Sequence, residues 1–472
     1  MKIFNTLTRI KEEFKPINKE IVNMYVCGPT VYDLFHLGNA RTFIFFDCVR
    51  RYLEYNGYSV NYIQNFTDID DKIINKSIKE NRTICEISNK YIEEYYVDSD
   101  RLNIKRATQN PRATDCIEDM INLISKLMYS GFAYEIDGDV YFSVREFGSY
   151  GKLFGQDINT LKSGSRIKIN KNKKDALDFI LWKKNKENEP GYDSPWGIGR
   201  PGWHTECCSM IYKYFDGDTI DIHGGGIDLV FPHHENEIAQ IEVLENKKLA
   251  NYWMHCSFLN VGNEKMSKSL ENFFTIREIL NRYTGDVIRF FLLSVHYRNN
   301  ISFDEEYMES ANKSLSRIKK VYFNLINFKE CDNVNKNECL DDIRKYHSTF
   351  IDKMNDDFNT ADAISVIFEF VKYVNKYITN FNSLELSESI KIFDSFFDIF
   401  GLTYKEIEEF KEIENDVKEM VKKRMQFKQK KQFDQADIIR DELVKRGYIL
   451  EDINDGTRIK DINNNLIYIV LV

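Results

Sequence analysis

The sequence predicts an α/β chain built on a parallel sheet that gives way to a largely helical C-terminal region. Three observations predict it. A strand–helix–strand pattern fills residues 21–66, sheet-type signals return near residue 219, and helical periodicity takes over from about residue 305. At 472 residues the chain exceeds one ordinary domain.

The elements follow in order. Ile21-Val22-Asn23-Met24-Tyr25-Val26 is short and β-rich, and Cys27-Gly28-Pro29-Thr30 ends it with turn residues. A helix begins near Gly38. Phe45, Cys48, Val49 and Tyr52 recur at helical spacing, while Arg50, Arg51 and Glu54 take the other face. Asn56-Gly57 is a helix stop, and Ser59 to Phe66 alternates like a second strand. Strand–helix–strand implies parallel pairing through a right-handed crossover, with ligands beyond the carboxyl ends of the strands. Cys27 and Thr67 fall at such ends. Residues from about 85 to 205 read as helices followed by an irregular, strand-bearing insertion, with a basic exposed loop at Lys162 to Lys174. Thr219-Ile220-Asp221-Ile222 reads as strand and Gly224-Gly225-Gly226 as a turn. Asp332 to Asn337 reads as a loop between helices, Lys418 to Lys431 as a basic helix, and Leu466 to Val470 as a strand.

Bulk composition narrows the function classes. The net charge of −9 argues against nucleic-acid binding through overall positive charge, though a local basic face fits an acidic body. No apolar run approaches the ~20 residues of a membrane-spanning helix. Met1-Lys2-Ile3-Phe4-Asn5 does not read as the start of a signal peptide. Nine scattered cysteines suit a reducing cytoplasm, with most of them, such as Cys48 and Cys116, small buried hydrophobes.

Three constellations carry chemistry. His36-Leu37-Gly38-Asn39 sits where the first strand turns into its helix. Unpaired N–H groups there suit phosphate, Gly38 permits close approach, and His36 can donate to a phosphate oxygen or merely cap the helix. Lys265-Met266-Ser267-Lys268-Ser269 lies among small residues and suits neutralisation of a triphosphate. His233 and Glu237, four apart in His233-His234-Glu235-Asn236-Glu237, share one helical face and suit two ligands on one metal, or a polar active-site face. Spacing alone leaves Cys27, Cys207 and the adjacent Cys208 as open candidates for further ligands.

Together with Arg200-Pro201-Gly202-Trp203-His204 and Phe231-Pro232, these motifs are co-linear over the first 300 residues. The set resembles bacterial cysteinyl-tRNA synthetases, more loosely so through Asp356 to Thr360 and Ala436 to Leu443. The resemblance implies a class I aminoacyl-tRNA synthetase: a Rossmann-type parallel-sheet catalytic domain (1–304) with an insertion (about 115–200) and a lysine-motif region (about 250–304). A tRNA-binding helical bundle (305–410) and a small C-terminal anticodon-binding domain (411–472) would follow.

It also implies roles. Zinc ligands fall on Cys27, Cys207, His233 and Glu237, which selects Cys207 over Cys208. The ATP-binding signatures fall on His36, Gly38 and Asn39 and on Lys265 and Lys268, with Asn39 where many relatives have a second histidine. Glu271 stands where glycine is usual. Thr67 and Trp203 match positions lining the amino-acid pocket. The implied reaction joins L-cysteine to ATP, with Mg²⁺ on the nucleotide, and passes the cysteinyl group to tRNA-Cys. Zinc would select the substrate as thiolate. The family is usually monomeric. A ligase joining cysteine to an amino sugar, or a silent RNA-binding paralogue, fits less well, given the long helical extension and the intact His36, Lys265 and Lys268.

Overall fold

The computed structural model describes residues 1–156, 173–186, 189–261, 264–265, 274–328, 338–404, 415–453, 456–461 and 466–471. Most of the loop expected at Lys162 to Lys174, and all of Asp332 to Asn337, lie outside the described residues. At the centre is a four-stranded parallel sheet: β1 (Ile21–Val26), β2 (Ser59–Gln64), β3 (Ile220–Gly226) and β4 (Ala250–Cys256), in the order β4-β3-β1-β2. Val22, Met24, Tyr25 and Val26 of β1 are all buried, as in a strand covered on both faces. β1 pairs with β2 from Ile21↔Ser59 to Val26↔Gln64 and with β3 from Met24↔Ile222 to Val26↔Gly224. The chain therefore leaves β1 towards one side and later returns to the other. That reversal marks the place where open α/β sheets bind ligands. Cys27 stands there, its N–H donating to the Gly224 carbonyl (3.1 Å).

Helix α1 (Leu37–Tyr55) connects β1 to β2. Phe45, Cys48, Val49 and Tyr52 are buried as their spacing requires. The opposite face departs from the simple amphipathic reading. Asp47 is buried and accepts from Arg51 (2.8 Å) and from Arg289 (2.6 Å) of the helix Gly285–Leu293. Arg289 also donates to the Phe400 carbonyl. Charges on this side of α1 form a paired interface with later helices.

The turn expected at Gly224–Gly226 is instead the end of β3. Glycine is needed there for space. A Cβ on Gly224 would lie 2.2 Å from the buried Phe46 ring of α1. Composition alone does not separate a turn glycine from one that admits a neighbouring ring.

The insertion forms a separate antiparallel sheet of Ala133–Ile136, Asp139–Phe142, Phe179–Lys184 and Gly199–Pro201. From Glu305 helices dominate, as expected. The chain divides into two compact units, Met1–Leu315 with Cys331–Leu402, and Ser316–Glu330 with Thr403–Val472. In the second, helices Asn415–Gln429 and Phe433–Lys445 pack Val417, Val421 and Leu443 against Leu450 and Ile459 of an antiparallel sheet. The expected strand at Leu466 is that sheet's third. No helix among the described residues is long and apolar enough to cross a membrane.

Candidate active site

One cavity beyond the carboxyl ends of β1 and β2 gathers most of the residues singled out by sequence. His36, Gly38 and Asn39 line it, as do Cys27, Cys207 and His233, together with Thr67 and Trp203.

His36 caps α1. Its Nδ1 accepts the Asn39 N–H (3.1 Å), and Asn39 Oδ1 accepts the His36 N–H (3.4 Å), a reciprocal cap. The capping reading is thus met. With Nδ1 accepting, a neutral His36 carries its proton on Nε2, the form that donates to phosphate. The first turn of α1 holds no acidic residue to offset its positive end.

Cys27 follows β1, and Gly28 lets the chain lie against β2: a Cβ there would sit 1.7 Å from the Asn65 carbonyl oxygen. Cys207 lies on the helix Trp203–Tyr214. His233 lies in the turn Val230–His234 that leads into the helix Glu235–Glu245, and it reaches Glu237: Nε2 to Oε1 is 2.8 Å. The ligand atoms of Cys27, Cys207, His233 and Glu237 lie within 4.8 Å of one another, all buried. The two Sγ atoms are 3.8 Å apart, and Cys207 Sγ is 3.5 Å from His233 Nε2. Two thiolates bound at ~2.3 Å on a tetrahedral zinc are separated by roughly 3.8 Å. The S, S, N, O donor set and its spacing fit such an ion. A second set, Cys27, His223, His234 and Glu237, overlaps the first. Its two histidines do not line the cavity, whereas Cys207 and His233 of the first set do.

Electrostatics follow from burial. Hydrogen bonding to Cys27 and His233 draws the Cys207 thiol down to about 6, whereas burial pushes Cys27 well up. Burial opposes charge on His233, but Glu237 and Cys207 outweigh it and raise the imidazole to about 10. Burial likewise works against the Glu237 carboxylate, yet His223, His233 and His234 hold it well below its usual range.

Sequence reading missed the layer behind these residues. Burial and His233 press His204 down to about 3, and its Nδ1 lies 2.9 Å from His233 Nδ1, a hydrogen bond that orients that ring. His223 Nε2 meets Glu237 Oε2 (2.5 Å), and His234 joins Cys27 (3.2 Å) to His255 (2.8 Å). The available signal was scarcity: of eight histidines in the chain, His204, His223, His233, His234 and His255 fall here. Glu206, pushed well up by burial, accepts from Thr67 Oγ1 (2.9 Å) and fixes that side chain. Trp203 stacks on His233 with centroids 4.3 Å apart. Cys208, the rival thiol, points elsewhere, towards the Glu237 carbonyl (3.6 Å). Lys265 pairs through its backbone with Asn260. Lys268 and Glu271 lie outside the described residues.

With this geometry in hand, comparison places the chain among known proteins. Residues 13–313 match the family described as tRNA synthetases class I (C) catalytic domain, and residues 349–405 match the DALR domain. Solved structures share the fold at low identity. Methionyl-tRNA synthetase of Mycobacterium tuberculosis, in complex with methionyl-adenylate, superposes with TM-score 0.59 at 12% identity, covering 81% of this chain and 90% of that one. A putative arginyl-tRNA synthetase of Campylobacter jejuni gives 0.57 at 14% identity, covering 83% and 95%. The agnB2 LeuRS of Agrobacterium radiobacter K84, in a ternary complex with tRNA and LeuAMS, gives 0.61 at 10% identity, covering 84% and 86%.

Proposed function

The chain belongs to the class I aminoacyl-tRNA synthetases, in the family of class I (C) catalytic domains, and from that premise we propose that it is a cysteine–tRNA ligase. One observation carries the choice of amino acid: Cys27, Cys207, His233 and Glu237 form a metal-capable cluster that opens on the same cavity as the capped start of α1. A soft metal beside the substrate favours an amino acid whose side chain ionises to a thiolate, and cysteine is that amino acid.

The activation step joins the cysteine carboxylate to the α-phosphate of ATP and releases pyrophosphate. It asks the protein for alignment and for stabilisation of charge on the leaving group. His36 Nε2–H and the start of α1 supply donors on the nucleotide side, Lys265 and Lys268 supply cations, and Mg²⁺ accompanies ATP. Thr67, held by Glu206, and Trp203, stacked on His233, form the amino-acid side. Serine differs from cysteine by one atom, and shape alone rejects such near-isosteres by only ~10–200-fold. Zinc bound by the four residues would supply Lewis acidity that ionises a thiol far more readily than a hydroxyl.

The second step passes the cysteinyl group to the terminal adenosine of tRNA-Cys. The helical region 305–410 and the segment 411–472 are assigned to tRNA binding, and the protein is read as a cytoplasmic monomer. Charging of a tRNA-Cys transcript by purified protein tests this reading. Cysteine esterified to tRNA-Cys is the expected product. Charging of another tRNA with another amino acid, or cysteine passed to an amino sugar instead, contradicts it.

A further inference from the structure

The nucleotide side of the cavity is held together by a residue that belongs to none of the motifs above. Arg41 lies in α1, just after the His36–Asn39 cap, and is 2% exposed. Its guanidinium donates to main-chain carbonyls of two other segments. Ser257 (2.9 Å) and Phe258 accept from Nη1, and Asn299 and, at 3.5 Å, His296 accept from Nη2. Ser257, Phe258 and Leu259 line the cavity along with His36, Gly38 and Asn39.

The side chain is poorly chosen for stability alone. Among the described residues no carboxylate pairs with Arg41, and its Nε–H is buried without a partner. Burying a guanidinium with no anion is unfavourable, and an apolar side chain of similar volume is commonly at least as stable. What only arginine provides is a rigid planar fork that holds several acceptors at once, which a lysine ammonium does not reproduce.

We propose that Arg41 is a positioning residue for the nucleotide half of the reaction, locking the 257–259 wall of the cavity to the first turns of α1. This rests on the reading of that cavity as the ATP site. Misplacement of one wall by about 1 Å costs on the order of 10²-fold in rate.

The test is ATP–pyrophosphate exchange by full-length wild type, Arg41→Met and Arg41→Lys, with bound zinc measured in each. In both variants the KM for ATP is expected to rise roughly tenfold or more, while the KM for cysteine and the zinc content stay within about twofold. Equal rises in both KM values would show a general structural role and overturn the proposal. Full recovery of the ATP KM by Arg41→Lys would show that charge suffices and overturn it as well. A second measurement needs no variant. In the wild type, a non-hydrolysable ATP analogue with Mg²⁺ is expected to slow amide exchange in peptides covering 257–261 together with 37–44. Slowing confined to 37–44 contradicts the proposal. Absence of cysteine-dependent exchange in the wild type would instead contradict the cysteine reading, and the amide-exchange result then decides on Arg41.

Discussion

The sulfur atoms of Cys27 and Cys207 lie 3.8 Å apart, far beyond a disulfide bond and at the separation of two thiolates sharing one tetrahedral ion. One thiol follows the central strand of the parallel sheet and the other projects from a helix that begins after the insertion. The fold thus brings together residues 180 positions apart.

Removal of Cys207 is expected to abolish stoichiometric zinc, and removal of Cys208 is not. Cys207 Sγ faces His233 Nε2 at 3.5 Å, whereas Cys208 Sγ faces a main-chain carbonyl. Elemental analysis of purified Cys207→Ala and Cys208→Ala reads the difference. Equal zinc loss in both would remove Cys207 from the ligand set.

Thr67→Val is expected to raise the KM for cysteine more than the KM for ATP. The Thr67 hydroxyl donates to the buried Glu206 carboxyl, and the isosteric valine leaves that acceptor without it. Loss of such a donor costs about 1–3 kcal/mol, so a lowered melting temperature should accompany the kinetic change. An unchanged cysteine KM would take Thr67 out of the amino-acid pocket.

Asp47→Asn is expected to destabilise the larger unit by about 3–5 kcal/mol near neutral pH, because it leaves the buried Arg289 without its carboxylate. Burial alone would raise the Asp47 pKa, but Arg289 and Arg51 outweigh it and hold the folded-state value below the ordinary one. A depressed carboxylate contributes stability above its unfolded pKa, near 3.9, and that contribution fades as pH falls through the folded value. The gap between wild type and variant in denaturant titrations should therefore narrow below about pH 4. A gap independent of pH would assign the effect to packing.

The basic stretch Lys418 to Lys431, helical as far as Gln429, divides into two kinds of cation. Arg424 is buried and doubly bonded to Asp452 (2.6 and 2.9 Å), and Lys428 joins the same carboxylate (2.7 Å). Lys423, Lys430 and Lys431 are exposed. Neutralising these three is expected to lower the salt slope of tRNA affinity by about one unit per lysine, while Arg424→Gln acts mainly on stability. A salt slope unchanged by the triple substitution would leave this stretch a solvated face.

Local spacing made much of this legible. The β1–α1–β2 unit follows from Ile21–Val26, the apolar spacing around Phe45 and Cys48, and the Asn56-Gly57 stop. The His233–Glu237 pair follows from the helical period. What spacing does not carry is contact between distant segments. The resemblance, not the spacing, chose Cys207 over Cys208, and the side-chain directions give the physical reason: Cys207 Sγ faces Cys27, while Cys208 Sγ faces the Glu237 carbonyl. Gly224 misread as a turn because the Phe46 ring it admits comes from another element. The burial of Asp47 and Arg41 is not legible in the spacing of α1, because their partners, Arg289 and the carbonyls near residues 257 and 299, are far away in sequence. The histidine layer behind the cluster stayed hidden for the same reason.

The most direct measurement of the central claim is amino-acid-dependent ATP–pyrophosphate exchange, with the zinc-loaded and the metal-stripped protein assayed side by side. The account expects exchange with cysteine to exceed exchange with serine by more than the ~200-fold that shape alone provides, and expects that margin to collapse when the metal is removed. Exchange driven best by an amino acid other than cysteine, or a cysteine preference unaffected by stripping, would contradict it.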